Sequence, residues 1–379
     1  MNIGIEAQRL FRPKKHGIEI VALELIKHLQ EIDHKNQYFI FVKPDADDQC
    51  IQETENFKIV KLPGSSYPTW EQWNLPRALK NYKLDVLHCT ANTAPLSPGV
   101  KTVITLHDII FLESVNFKGT TYQNLGNLYR RFIVPRIAKK NFLVTVSEFE
   151  RKNILDLLKV PADQIEVAYN AVNPMFQVIS DQPQLSAARE KYKLPEKFIL
   201  FFANPAPKKN TPNTLLAFAH YCRKYQNKDV KLVVTDSSLQ YIKGLIKSLQ
   251  LEDVEDRIQI IEFIRYNELP QVYSQAKLFL YPSFRESFGL PILEAMACGT
   301  NVISSNTSAM PEIAGNAALL VDPYNAEEIG ETIARLMQND FTRQALRTNG
   351  LENVKRFSWS NTAHKMLDIY NRIAYPKIS

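Results

Sequence analysis

The sequence predicts an α/β protein of two domains, each built on a parallel sheet. Three observations carry this expectation. The chain has 379 residues, more than one hydrophobic core ordinarily serves. Short apolar runs bounded by turn residues alternate with stretches of helical periodicity. Several of those runs end in polar residues, as strands do where they deliver side chains to the carboxyl edge of an open sheet.

Composition narrows the class. The chain is 45% hydrophobic and 23% charged, the balance of a globular protein rather than a disordered one. A net charge of +6 permits an anionic substrate or an anionic membrane surface without demanding either, and no nucleic-acid partner is expected. No run of about 18 apolar residues occurs, so no membrane-spanning helix is expected. Met1 to Ile5 enters a strand at once, without the charged-then-apolar opening of a secretion signal. Cys50, Cys89, Cys222 and Cys298 lack metal-ligand spacing, so no metal site is expected, and a reducing, cytoplasmic location follows most simply.

Taken in order, the chain opens with a strand over Ile3–Ala7 and a loop over Gln8–Lys15. Ile18, Val21, Ala22, Leu25, Ile26 and Leu29 then recur at helical spacing behind Gly17, which lets a ligand approach the backbone. Tyr38–Val42 is the next strand. Trp70, Trp73, Leu75 and Pro76 form an aromatic cluster before a helix, read as packing on the sheet. Asp85–Cys89 and Val103–Leu106 are strands; the first carries His88 at its end and the second runs into His107 and Asp108, where open parallel sheets bind ligands. Residues 119–140 form a helix carrying Tyr122, Tyr129, Arg130, Arg131, Phe132, Arg136, Lys139 and Lys140. Two readings stand open for it: docking on anionic lipid at the membrane's inner face, or a solvated basic face. Phe142–Ser147 is a strand, Ser147 caps the helix that follows, and Ile165–Val172 leads to a proline-bearing connection.

The second half opens with the strand Phe198–Ala203. Lys208 and Lys209 follow in its terminal loop, placed to neutralise a diphosphate. Strands are expected at Val230–Val234 and Arg257–Phe263. Ala276–Tyr281 reads as a buried strand ended by Pro282. Ser283–Gly289 is a polar loop, and Pro291 marks the first turn of a helix through Leu293, Met296 and Ala297. Gly299 ends that helix, and Asn301–Ser304 is the next strand. Such a loop presents backbone N–H groups and a positive helix end, for which a diphosphate is the natural occupant. Glu286 and Glu294 would repel phosphate but accept hydrogen bonds from hydroxyls. The residues therefore point to a nucleotide-sugar site.

Glu286 and Glu294 stand seven residues apart, with Phe288-Gly289-Leu290-Pro291 between them and Ala295-Met296-Ala297-Cys298-Gly299 after. This passage resembles the E-x7-E signature of the retaining glycosyltransferases of family 4, also called glycosyl transferases group 1. Ser308–Ile313 and Leu320–Pro323 continue the pattern, and the resemblance spans nearly the whole chain, most strongly over 198–323. It implies the GT-B fold: two Rossmann-like domains facing across a cleft, with a final helix crossing back to the first. Expected boundaries are 1–175 for the acceptor-side domain, 176–196 for a linker, 197–355 for the donor domain and 356–379 for the crossover helix.

The resemblance implies metal-independent transfer of a hexosyl unit, with retention, from a nucleotide-diphosphate-sugar to a glycan or lipid-linked acceptor in bacterial surface-polysaccharide assembly, with no cofactor. By the same resemblance Lys209, aided by Lys208, holds the diphosphate, Glu286 the sugar hydroxyls and Glu294 the ribose. Ser287, Phe288 and Gly289 complete the donor loop. His107 faces the donor sugar, Asp108 orients the acceptor or takes its proton, and Gly17 lies where acceptor and donor phosphate meet. The sequence departs from the family at Phe202 and Ala203, at Thr235–Ser238 and at Asn170-Ala171, where family glycines are missing. The alternatives are a GT-B epimerase or phosphorylase and a non-catalytic nucleotide-sugar-binding protein. His107, Lys209, Glu286 and Glu294, all present, argue against the last.

Overall fold

The computed structural model describes residues 1–15, 17–113, 121–226 and 229–376, the side chains of 121–123 excepted. The chain divides into two compact units, Met1–Asn170 with Ser358–Ser379, and Ala171–Phe357.

The first unit holds, among the described residues, a seven-stranded parallel sheet in the order β3-β2-β1-β4-β5-β6-β7. Its strands are β1 (Asn2–Glu6), β2 (Gln37–Val42), β3 (Phe57–Lys61), β4 (Val86–Cys89), β5 (Thr102–Leu106), β6 (Phe142–Thr145) and β7 (Ile165–Val167). Strand β3, which periodicity did not single out, is a short edge strand with lysines at exposed positions, the composition that discourages edge pairing. The expected aromatic cluster is a short π-helical turn, Trp70–Asn74, with Trp70 fully buried and Trp73 exposed. The expected 119–140 helix runs Thr121–Ala138; residues 119 and 120 and the side chain of Tyr122 lie outside the described residues. Ser147 caps the Glu148–Leu158 helix through the N–H of Glu150. The Trp359–Ala374 helix belongs to this unit: its Ala363, Met366, Ile369 and Tyr370 join the core with Leu25, Ile26 and Leu29.

The second unit holds a six-stranded parallel sheet in the order β10-β9-β8-β11-β12-β13. Its strands are β8 (Lys197–Phe202), β9 (Val230–Thr235), β10 (Ile258–Ile261), β11 (Leu278–Tyr281), β12 (Asn301–Ser305) and β13 (Ala318–Val321). Leu278 and Leu280 of β11 are buried with Ile199 and Phe201 of β8, as strands covered on both faces require. The Gln182–Tyr192 helix precedes β8, and Phe202, where the family carries a glycine, stacks in an aromatic group with Tyr273 and Phe279 at ring distances of 5.6 and 5.1 Å.

Both sheets are doubly wound, and each reverses its winding between two central strands, β1 and β4 in one, β8 and β11 in the other. Crevices outside the carboxyl ends at such reversal points are where open α/β sheets bind ligands.

Candidate active site

In the second unit the loops after β8 and β11 meet at the reversal point. The Lys208 carbonyl accepts from the Phe284 N–H at 2.8 Å, joining them through backbone. Asn210, in the left-handed region at φ 58°, completes the joint. Its side-chain amide donates to the carbonyls of Pro282 at 2.8 Å and Pro323 at 2.7 Å, so one buried residue ties three loops.

This scaffold brings Lys208, Lys209 and Glu286 together. Lys209 Nζ donates to Glu286 Oε1 at 2.6 Å and to the Tyr281 hydroxyl at 3.2 Å, and Lys208 Nζ stands 3.9 Å from Glu286 Oε2. Burial alone would raise the Glu286 carboxyl, but Lys209 and then Lys208 hold it below the usual carboxylate range. The Glu286 N–H donates to Ser308 Oγ at 3.1 Å, fixing the loop from the next crossover. Two cations around one carboxylate leave the loop pair net positive, so an incoming diphosphate would meet attraction.

The loop ends as its residues require. Gly289 adopts φ +99°, a conformation that side chains resist, and opens the Leu290–Ala297 helix with Pro291 in its first turn. Ser287 is half-buried. Phe288 is buried, its ring edge-on to Phe357 at 5.7 Å, so the residue offers the loop its backbone.

Glu294 sits deeper. It is buried, its Oε2 accepts from the Tyr273 hydroxyl at 3.2 Å, and burial pushes its carboxyl up to about 7 despite hydrogen bonds from Tyr273 and Tyr266. Near neutral pH it exchanges between acid and carboxylate, both able to bond a hydroxyl. Tyr273, Tyr281, Asn210 and Ser308 are site residues that sequence reasoning did not single out. Of these only Tyr281 carried a signal, its place at the end of an apolar strand.

In the first unit, His107 follows β5 and is buried. Its N–H donates to Asn92 Oδ1 at 2.6 Å, and its ring Nε2 lies 2.8 Å from the Thr90 carbonyl. A carbonyl can only accept, so Nε2 carries the hydrogen and Nδ1 is left as the acceptor. Burial lowers the His107 pKa, which keeps the ring neutral. Asp108 is half-buried and its Oδ1 accepts from the Ile110 N–H at 3.2 Å, so it starts the short Ile110–Glu113 helix. Gly17 is the first residue of the Gly17–Ile32 helix; a Cβ there would meet nothing within 4 Å.

Paired doubly wound domains of this kind define the GT-B glycosyltransferase fold. The chain superposes on a glycosyltransferase from Rickettsia africae with a TM-score of 0.75 at 20% identity, over 100% of this chain and 99% of that one. It superposes on Anabaena HepE, solved in complex with UDP and glucose, with a TM-score of 0.73 at 17% identity, over 97% and 98% of the two chains. The profile described as Glycosyltransferase Family 4 matches residues 16–176, and that of Glycosyl transferases group 1 matches 184–353. O-antigen chain mannosyltransferase B of Escherichia coli is 27% identical over 384 residues, covering 93% of this chain and 95% of that protein. The chain belongs to the family 4, group 1 glycosyltransferases.

Proposed function

We propose that this glycosyltransferase moves a hexosyl unit from a nucleotide-diphosphate-sugar to a glycan or lipid-linked acceptor, with retention, in the assembly of a bacterial surface polysaccharide. The observation that carries the reading is the cluster of Lys208, Lys209 and Glu286 at the reversal point, beside a glycine-opened helix. In this reading the donor diphosphate takes Lys209 and the loop N–H groups, and Glu286, released from Lys209, accepts from sugar hydroxyls. Glu294 bonds the ribose. Charge developing on the leaving diphosphate is met by the lysines and the helix end, without a metal ion, and the same phosphate takes the acceptor's proton on the face it leaves. His107 contacts the donor sugar, and Asp108 orients the acceptor. HepE, bound to UDP and glucose, and the mannosyltransferase relative support a nucleotide-sugar donor and a mannose-containing glycan.

The reading includes peripheral attachment to an anionic membrane. Leu125, Leu128 and Phe132 of the Thr121–Ala138 helix are 61%, 59% and 51% exposed, and the Arg136 guanidinium stacks on Phe132 at 3.7 Å. Apolar residues at helical spacing beside arginines suit the headgroup boundary. No described helix is long and apolar enough to cross a membrane.

A thermal-shift screen of UDP-, GDP- and ADP-sugars tests the donor site. One of them should bind, and Lys209→Ala and Glu294→Ala should each weaken it roughly 10-fold or more. If no nucleotide-sugar binds wild type with or without divalent metal, the reading fails.

A further inference from the structure

The first unit carries a second built cavity. It lies at the carboxyl end of β1, beside β4, where this sheet's winding reverses. Glu6, Gln8, Arg9, Glu19 and Thr90 stand in its wall, closed by Ile18 and Ala22 of the Gly17–Ile32 helix. Its floor is fixed. The Ala7 N–H donates to the Phe41 carbonyl at 2.9 Å, the Lys43 N–H to the Gln8 carbonyl at 3.1 Å, and the Thr90 hydroxyl to the Glu6 carbonyl at 2.8 Å. Thr90 offers its own carbonyl to His107, so the cavity wall and the imidazole share one residue.

Two of its polar side chains are incompletely matched. Glu6 is 1% exposed; its Oε1 accepts from the Gln8 N–H at 3.0 Å, and its Oε2 has no protein partner. Arg9 stacks its guanidinium on Tyr67 at 4.7 Å, and its buried Nε–H likewise has no protein partner. Neighbouring Glu71, also buried, is saturated by Tyr67, Gln72, Thr93 and Tyr129, so it supports the wall without facing a ligand. A buried acceptor and a buried donor left open in one cavity cost about 1–3 kcal/mol each unless something fills them.

A hydroxyl fits that pair, donating to Glu6 Oε2 and accepting from Arg9 Nε–H. Size agrees: the enclosed space of about 10 Å³ suits one water or one hydroxyl group rather than a whole ring. Charge agrees too. Glu6 and Glu19 in the wall, with Glu71 behind, repel phosphate or carboxylate, and Arg9 repels an amine. We propose that this cavity is a specificity subsite that reads one hydroxyl of the acceptor's terminal sugar, through Glu6 and Arg9. The subsite rests on the glycosyltransferase reading above and adds to it the neutral, polyhydroxylated character of the acceptor.

The test titrates methyl α-glycosides of mannose, glucose and galactose, with their monodeoxy analogues, into the full chain by NMR, with nucleotide-sugar thermal shift in parallel. One glycoside should bind wild type, and one deoxy analogue should bind roughly 10- to 100-fold more weakly. In Glu6→Gln and in Arg9→Met that discrimination should collapse, while the nucleotide-sugar shift persists and reports that both variants fold. Deoxy analogues that all bind wild type like their parent overturn the subsite, and so does discrimination that survives both substitutions. Absence of glycoside binding while a nucleotide-sugar still binds overturns the subsite and leaves the donor reading intact. Absence of nucleotide-sugar binding to wild type removes the donor reading itself.

Discussion

Glu294 and Glu286 are chemically identical, and the fold sends them opposite ways. Burial dominates at Glu294 and pushes its carboxyl up to about 7. At Glu286 burial is outweighed by the Lys209 and Lys208 ammoniums, and the carboxyl is lowered. The sign for Glu294 follows from linkage. Its folded value lies above its unfolded one of 4.5, so the folded state binds more protons between the two, and stability falls as pH rises through that window. Glu294→Gln removes the penalty: relative to wild type it should gain about 3 kcal/mol between pH 4.5 and pH 8, read by urea unfolding at both values. A gain that does not grow with pH would contradict the burial account. Both glutamates were legible as site residues from spacing and neighbours. Their different protonation was not, because Tyr273 and Lys209 reach them from other loops.

At the scale of elements, the donor-side loops hold their shape through a few residues with unusual backbone. Asn210→Ala strands two buried carbonyls, of Pro282 and Pro323, and places Ala in the left-handed region. We expect a loss of about 2–4 kcal/mol in chemical denaturation, with nucleotide-sugar binding weakened in parallel. Asn210→Asp, which keeps the backbone preference but not the donor, should not restore stability. Gly299 ends the Leu290–Ala297 helix region at φ +73°, and an added Cβ would lie 2.7 Å from the Arg347 guanidinium carbon. Gly299→Ala should therefore cost about 1–3 kcal/mol by displacing Arg347 from the Gly299 carbonyl; an unchanged midpoint would count against it. Gly299 was readable from sequence as a helix stop. The dual role of Asn210 was not, since its partners lie 72 and 113 residues away.

For the whole molecule, the last helix is a core component of the first unit rather than a tail. Tyr370 donates to or accepts from His88 Nδ1 at 2.7 Å, across 282 residues of chain, and Ala363, Met366 and Ile369 are fully or almost fully buried. Ending the chain at Phe357 should give an aggregating protein or one whose first unit melts well below wild type by calorimetry; an unchanged melt would show that the first unit folds without this helix. Membrane attachment is also a property of the whole chain. Co-sedimentation with phosphatidylglycerol vesicles should exceed that with phosphatidylcholine, fall with added salt, and drop in Leu125→Ser/Leu128→Ser. Equal binding to both vesicles would assign the basic helix to solvent instead.

Local patterns determined the strands, their carboxyl-end loops and the lysines and glutamates they carry, because period, proline, glycine and charge act over a few residues. Those patterns also carried the family resemblance that the matching profiles bear out. Tertiary structure alone decided which loops meet. The sheet orders set β1 beside β4 and β8 beside β11, and so joined Lys209 to Glu286 and set Glu6, Arg9 and Thr90 around one cavity. Protonation and unmet hydrogen bonds arise only from such long-range neighbours, since burial and pairing are properties of the packed chain, not of the residue.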